Sequence, residues 1–135
     1  HIISSKDLQG KKFVLYFYPI DDSPGCTQES CDFRDKYDVF RKAGVEVYGV
    51  SKDGIKSHVS FKNKFNLPFD LLSDESGEVC ESFGVWKEKS MYGKNFMGIV
   101  RSTFIIDENG KIERVYPKVS VSEHVEEIAK DLGIK

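Results

Sequence analysis

The stretch Lys12–Phe40, "KFVLYFYPIDDSPGCTQESCDFRDKYDVF", changes its periodicity halfway along. Lys12 to Pro19 is a near-continuous apolar and aromatic run closed by a proline, the pattern of a strand buried on both faces. From Cys26 the core-facing positions are Cys26, Ser30, Phe33, Tyr37 and Phe40, at intervals of four, three, four and three, which is one stripe of an α-helix. Ser23-Pro24-Gly25 joins the two patterns. Ser23 suits an N-cap, and Pro24 suits the first helical position, where its missing N–H would be unpaired anyway. A buried strand feeding directly into a helix is the opening unit of an α/β fold.

The rest of the chain continues that alternation. "VEVYGVS" (Val45–Ser51) is a second β-branched run, and "RSTFIID" (Arg101–Asp107) with "KIERVYP" (Lys111–Pro117) predicts a hairpin turning at Asn109-Gly110. Ile55, Val59, Phe61 and Phe65 predict a second helix, and Val79, Cys80 and Phe83 a short third. Val121, Val125, Ile128, Ala129 and Leu132 predict a last helix stopped by Gly133. The expectation is one domain, residues 1–135, in which a central mixed sheet is flanked by helices.

Composition excludes several function classes. The 135 residues suit one ordinary domain, and 39% hydrophobic with 31% charged residues fits a globular chain. A net charge of −2 gives no basic field for nucleic acid and no polybasic anchor. No apolar run approaches the roughly 20 residues of a membrane helix. Three cysteines are too few, and odd in number, for a secreted disulfide framework, so a reducing cytoplasm is expected, with an organelle as the alternative.

The chemistry gathers at Cys26. A cysteine in a first helical turn meets free backbone N–H groups and the positive end of the helix dipole, both of which favour the reactive thiolate. Gly25 has no side chain, which leaves room for a small substrate beside the sulfur. Cys31 follows five residues later. On one α-helix the two would be rotated about 140° apart and separated by about 8.7 Å between Cα atoms. A disulfide tolerates at most about 7 Å. The two thiols can therefore bond only if the first turns unwind.

These residues resemble the active-site segment of the peroxiredoxins, most closely the Q-type branch, also called bacterioferritin comigratory proteins. The pattern Pro-x-x-x-Thr/Ser-x-x-Cys is met by Pro19, Ser23 and Cys26, and the Q-type second cysteine by Cys31. The match continues through "SKDGIKSHVSFKNKFNLPFDLLSD" (Ser51–Asp74) and "YGKNFMGIVRSTFIIDENGKI" (Tyr92–Ile112) and so covers nearly the whole chain. The resemblance implies a thioredoxin-like fold and reduction of hydroperoxides. It implies that Cys26 attacks peroxide, that Cys31 resolves the resulting sulfenic acid as an intramolecular disulfide, and that thioredoxin or a similar dithiol recycles it. Ser23 and Arg101 take the places of the family's hydroxyl and arginine beside the sulfur, and Pro19 shields the pocket floor. A monomer or weak homodimer is expected. Members of the family begin with a further strand pair, so His1 is expected to follow a missing piece of fold.

Other residues carry less. Structural zinc wants cysteine pairs two to four apart with close partners; Cys80, His58 and His124 are scattered, and no metal or organic cofactor is expected. His1, His58 and His124 are read as isolated, with His124 on a polar helix face. Trp86 is read as core or pocket wall, Glu29 as a helix-start or solvated acid, and Cys80 as a cysteine without a role. Two other functions compete with the peroxidase: a redox sensor that passes oxidation from Cys26 to a partner, and a dithiol reductase or isomerase. The latter is disfavoured by Cys-x4-Cys in place of Cys-x-x-Cys.

Overall fold

The Lys12–Pro19 run supplies β1 (Lys12–Phe17), the middle strand of a five-stranded sheet, in a computed structural model that describes residues 10–134 apart from the Met91 side chain. In chain order there follow α1 (Pro24–Lys42), β2 (Val45–Ser51), α2 (Ile55–Phe65), β3 (Asp70–Ser73), α3 (Glu78–Ser82), β4 (Trp86–Met91), β5 (Lys94–Ile99), β6 (Ser102–Ile106), β7 (Ile112–Tyr116) and α4 (His124–Asp131). The sheet runs β3-β2-β1-β6-β7. β1, β2 and β3 are parallel, and β6 is antiparallel to both β1 and β7, so the sheet is mixed as expected. His1 and the strand pair expected before it lie outside the described residues.

Alternation along β1 divides the interior in two. Val14, Tyr16 and Tyr18 pack with Phe33 and Phe40 of α1, Phe61 of α2 and Ile128 of α4. Phe13, Leu15 and Phe17 point the other way, into Cys80, Val85, Ile99 and Phe104. Every position of β1 after Lys12 is therefore buried, which is why the sequence shows no polar alternation there.

Tyr16 ties the sheet to α1. Its ring stacks on Phe33 at 4.6 Å between centroids, and its hydroxyl lies 2.8 Å from Ser30 Oγ in the interior. Gly49, its partner across β2, makes this fit: a Cβ there would stand 2.7 Å from Tyr16 Cζ and 2.8 Å from Leu71 Cδ2. Gly49→Ala is expected to lower stability by about 1–3 kcal/mol through overpacking, read as a lower urea midpoint at unchanged slope.

Some expected details differ. In α2 the inward residues are His58 and Phe61, while Ile55 and Val59 are 69% and 52% exposed. His58 and Phe61 are spaced i, i+3, and Phe65, one turn beyond Phe61, packs against the same core. Val121 precedes α4 rather than lying on it. The stop at Gly133 (φ +72°) is as expected, with Ile134 N–H donating to Ala129 O at 2.8 Å. The β6–β7 turn is wider than a two-residue loop: Asp107 accepts from the N–H groups of Asn109 and Lys111, each at 2.9 Å. The β4–β5 hairpin and β3 were not expected from the sequence. Among the described residues, no helix is long and apolar enough to cross a membrane.

Candidate active site

The sheet register positions the site. Phe17, the last residue of β1, pairs with Ser102, the first of β6, so Arg101 is delivered to the carboxyl end of β1, where α1 begins. Such strand ends are where open α/β sheets carry their sites. Ser23 is the N-cap of α1 and Pro24 opens it, as expected. The first helical hydrogen bond is from Thr27 N–H to Ser23 O at 2.8 Å. Gly25 and Cys26 precede that bond, so helix geometry leaves their N–H groups without a partner inside the helix.

Cys26 is wholly buried, and Arg101 reaches it: Nη2 donates to Cys26 Sγ at 3.2 Å. The other arm, Nη1, donates to Glu29 Oε1 at 2.6 Å. One guanidinium thus bridges the sulfur and a carboxylate across 75 and 72 residues of sequence. Burial opposes the charge of Arg101, but Glu29 and Cys26 outweigh it and the guanidinium is held more firmly charged than usual. Gly25 is part of this geometry, since a Cβ there would lie 3.2 Å from Arg101 Nη2.

Glu29 is not the solvated acid the sequence suggested. It is fully buried on the α1 stripe, one helical turn beyond Cys26, and its Oε2 has no hydrogen-bond partner among the described residues. Burial pushes its carboxyl up to about 7, against the pull of Arg101 and with a small push from Asp32. The folded state therefore keeps a proton between about 4.5 and 7 that the unfolded chain has released, so stability falls as pH rises through that window. Relative to wild type, Glu29→Gln is expected to gain stability between pH 5 and pH 8, on the order of 3 kcal/mol at most. Urea unfolding of both proteins at the two pH values checks this; a constant difference would contradict it.

Ser23 departs from expectation in its side chain. No side-chain cap forms, and the hydroxyl donates its hydrogen back to Ile20 O at 3.2 Å. Pro19 is half-buried just past the end of β1. Cys31 lies on the same unbroken helix as Cys26, half-buried, and both are free thiols. Burial holds the Cys31 thiol above its ordinary value, with Arg34 opposing and Asp35 and Asp32 adding to it. Cys80 is buried, and burial together with Asp74 pushes its thiol up to about 12, the setting of an inert cysteine.

His58 and His124 are not bland surface residues. His124 is buried at the start of α4, because it shares a face with Ile128 one turn on, and its Nε2 lies 2.9 Å from Thr103 Oγ1. Burial, then the nearby Arg101 charge, lowers it to about 4, so its ring is neutral. His58 is buried against Asp21, with Nδ1 and Oδ2 2.7 Å apart. Trp86 is half-buried in the second core cluster, with Lys52 Nζ 4.1 Å from its ring centroid.

Known proteins resemble this chain closely in sequence and fold. The sequence matches the AhpC/TSA family over residues 1–115. It is 47% identical to peroxiredoxin Bcp of Bacillus subtilis over 130 residues, which is 96% of this chain and 83% of that one. A structure of peroxiredoxin Q from Xanthomonas campestris superposes with a TM-score of 0.92 at 40% identity, covering 97% of this chain and 83% of that one. So, with the same values, does a bacterioferritin comigratory protein of X. campestris, solved in trapped intermediate and ligand complexes bearing on its alkyl peroxide reduction. A buried first-turn cysteine under an arginine, on this mixed sheet and with this degree of identity, leads to one conclusion: the chain belongs to the AhpC/TSA family and is a peroxiredoxin of the Bcp or Q type, a thiol-dependent peroxidase.

Proposed function

We propose that Cys26 is the attacking thiolate, Cys31 the resolving thiol and Arg101 the charge that steadies both sulfur and peroxide. The observation that carries this reading is the 3.2 Å contact from Arg101 Nη2 to Cys26 Sγ in the first turn of α1. The thiolate attacks one peroxide oxygen, the O–O bond breaks, and the departing oxygen takes a proton and leaves as alcohol or water. Cys26 is then a sulfenic acid. Charge develops on the departing oxygen, and donors fixed in advance are the largest aid an enzyme can give it. Arg101 and the Gly25 and Cys26 N–H groups are those donors. Ser23 joins them by turning its hydroxyl away from Ile20, and Gly25 and Pro19 shape the pocket.

Cys31 then attacks the sulfenic sulfur. A disulfide forms, and hydroxide leaves as water with a proton. Both cysteines sit on one intact helix, so this step follows local unwinding, which also takes Cys31 out of the environment that holds its thiol protonated. A dithiol such as thioredoxin reduces the bond by exchange, becoming the disulfide itself. We read the chain as one domain, as a monomer or weak homodimer, and as working in a reducing cytoplasm.

Intact-mass measurement after graded peroxide, with and without thioredoxin and its reductase, tests the roles. Wild type is expected to lose two hydrogens and to turn over with the reductant. Cys31→Ser is expected to stop after one oxygen and then collect more. Equal over-oxidation of the two proteins would remove the resolving role from Cys31.

A further inference from the structure

The loop between β1 and α1 is tied to the β2–α2 segment by bonds that touch neither Cys26 nor Arg101. Asp21 is the knot. Its Oδ1 accepts from Tyr18 Oη at 2.6 Å, and its Oδ2 accepts from Ser57 Oγ at 2.7 Å and faces His58 Nδ1 at 2.7 Å. Its backbone N–H donates to Asp53 Oδ2 at 2.8 Å. On its far side, His58 Nε2 lies 3.1 Å from Leu72 O. His58 Nδ1 also stands 3.5 Å from Tyr18 Oη. The Asp21 and His58 side chains are 3% and 5% exposed, out of reach of the solvent screening that weakens surface pairs. Burial works against the Asp21 carboxylate, but its bonds to His58, Tyr18 and Ser57 outweigh that and hold it below the usual range.

The next residue, Asp22, has φ +60°, a left-handed conformation unfavourable for a residue with a Cβ unless its surroundings hold it there. Asp21, Asp53 and His58 bring their ligand atoms within 4.8 Å of one another, which suits a cation in outline. Their oxygens and nitrogens are already matched to one another and to Ser57, however. The arrangement is a fastening.

Resting on the roles proposed for Cys26 and Cys31, we infer that the Asp21–His58 pair is a latch whose release governs opening of the first turn of α1, which makes both of them positioning residues for the change from attack to resolution. Closed, the latch keeps the strained loop in place and the first turn wound, so Cys26 stays under Arg101. Open, it lets the loop relax and the turn unwind, and Cys31 can reach the sulfenic sulfur. The same fastening sets how long a sulfenic Cys26 remains buried where a second peroxide can find it. Losing a buried hydrogen bond to a carboxylate shifts an opening equilibrium by about ten- to a hundredfold.

The test compares wild type with Asp21→Asn, His58→Gln and the milder Ser57→Ala, whose side chain is exposed and donates to Asp21. In the reduced proteins, amide exchange at Thr27 to Ser30 should accelerate ten- to a hundredfold in the first two and a few-fold in Ser57→Ala. After one equivalent of peroxide, formation of the Cys26–Cys31 disulfide should accelerate in the same order. The over-oxidised fraction should fall, while attack on peroxide is unchanged or slower. A loss of packing alone would not drive the two steps in opposite directions. Should Asp21→Asn fail to fold, Ser57→Ala decides. Unchanged exchange in the reduced variants, or faster exchange without faster disulfide formation, would overturn the latch. If wild type formed no Cys26–Cys31 disulfide, the role of Cys31 would fall instead, and exchange in the reduced proteins would still decide the latch.

Discussion

Cys26→Ser should abolish peroxide reduction, a loss of at least about a thousandfold. An alcohol at that position is scarcely ionised at working pH, and oxygen cannot take up the peroxide's electrophilic oxygen as sulfur does on becoming a sulfenic acid. The fold should survive. The substitution is nearly isosteric, and the new hydroxyl can keep the Arg101 Nη2 contact that Cys26 Sγ now makes. Circular dichroism and urea unfolding would confirm a native chain, and peroxide consumption with a dithiol reductant would give the rate. Cys80→Ser is the matched control, since a thiol pushed up to about 12 and packed among Leu15, Val85 and Phe104 has no part in turnover. Turnover of Cys26→Ser within a few-fold of wild type would move the nucleophile elsewhere, and the same loss in Cys80→Ser would give that cysteine a function.

The opening stretch was legible because every level of its structure agreed. Pro19, Ser23 and Pro24 punctuate the chain where β1 ends and α1 begins, and the stripe from Cys26 to Phe40 is the buried face observed. Glu29 belongs to that stripe too and was misread, because an acid is ordinarily placed outside. Its spacing of three from Cys26 was the available signal: an acid inside an apolar stripe calls for a buried cation. That the cation is Arg101 could not be read from local pattern, since the contact depends on Phe17 pairing with Ser102 across the sheet. Only the family resemblance pointed to it. His58 and His124 were missed for a similar reason, as each takes an inward position on a short helix that apolar counting assigns to others. The second strand of the β4–β5 hairpin is exposed from Lys94 to Met97, so no alternation betrays it. Its one local mark is the turn Tyr92-Gly93, with φ of +54° and +76°, the signature of a two-residue hairpin loop.

Arg101→Ala should slow attack on peroxide by about a hundred- to a thousandfold, the usual consequence of removing a donor aimed at developing charge. A second effect comes through Glu29. With Arg101 absent, its carboxyl loses its one hydrogen-bonding partner among the described residues and, already pushed up to about 7, should take a proton and remain neutral well above that pH. Arg101→Lys should recover only part of the rate. An ammonium is a point charge on a flexible stem, whereas the guanidinium holds Glu29 Oε1 at 2.6 Å and Cys26 Sγ at 3.2 Å with separate arms of one plane. Combining Arg101→Ala with Glu29→Gln separates the two consequences. The double variant should regain stability near pH 8, because no buried carboxyl is left holding a proton that the unfolded chain releases, yet it should stay as slow as Arg101→Ala. Stopped-flow rates against peroxide concentration, with urea midpoints at pH 5 and pH 8, measure both quantities. If Glu29→Gln also restored the rate, the guanidinium would be serving the fold by neutralising a buried acid, and its contact with the sulfur would be incidental to the chemistry.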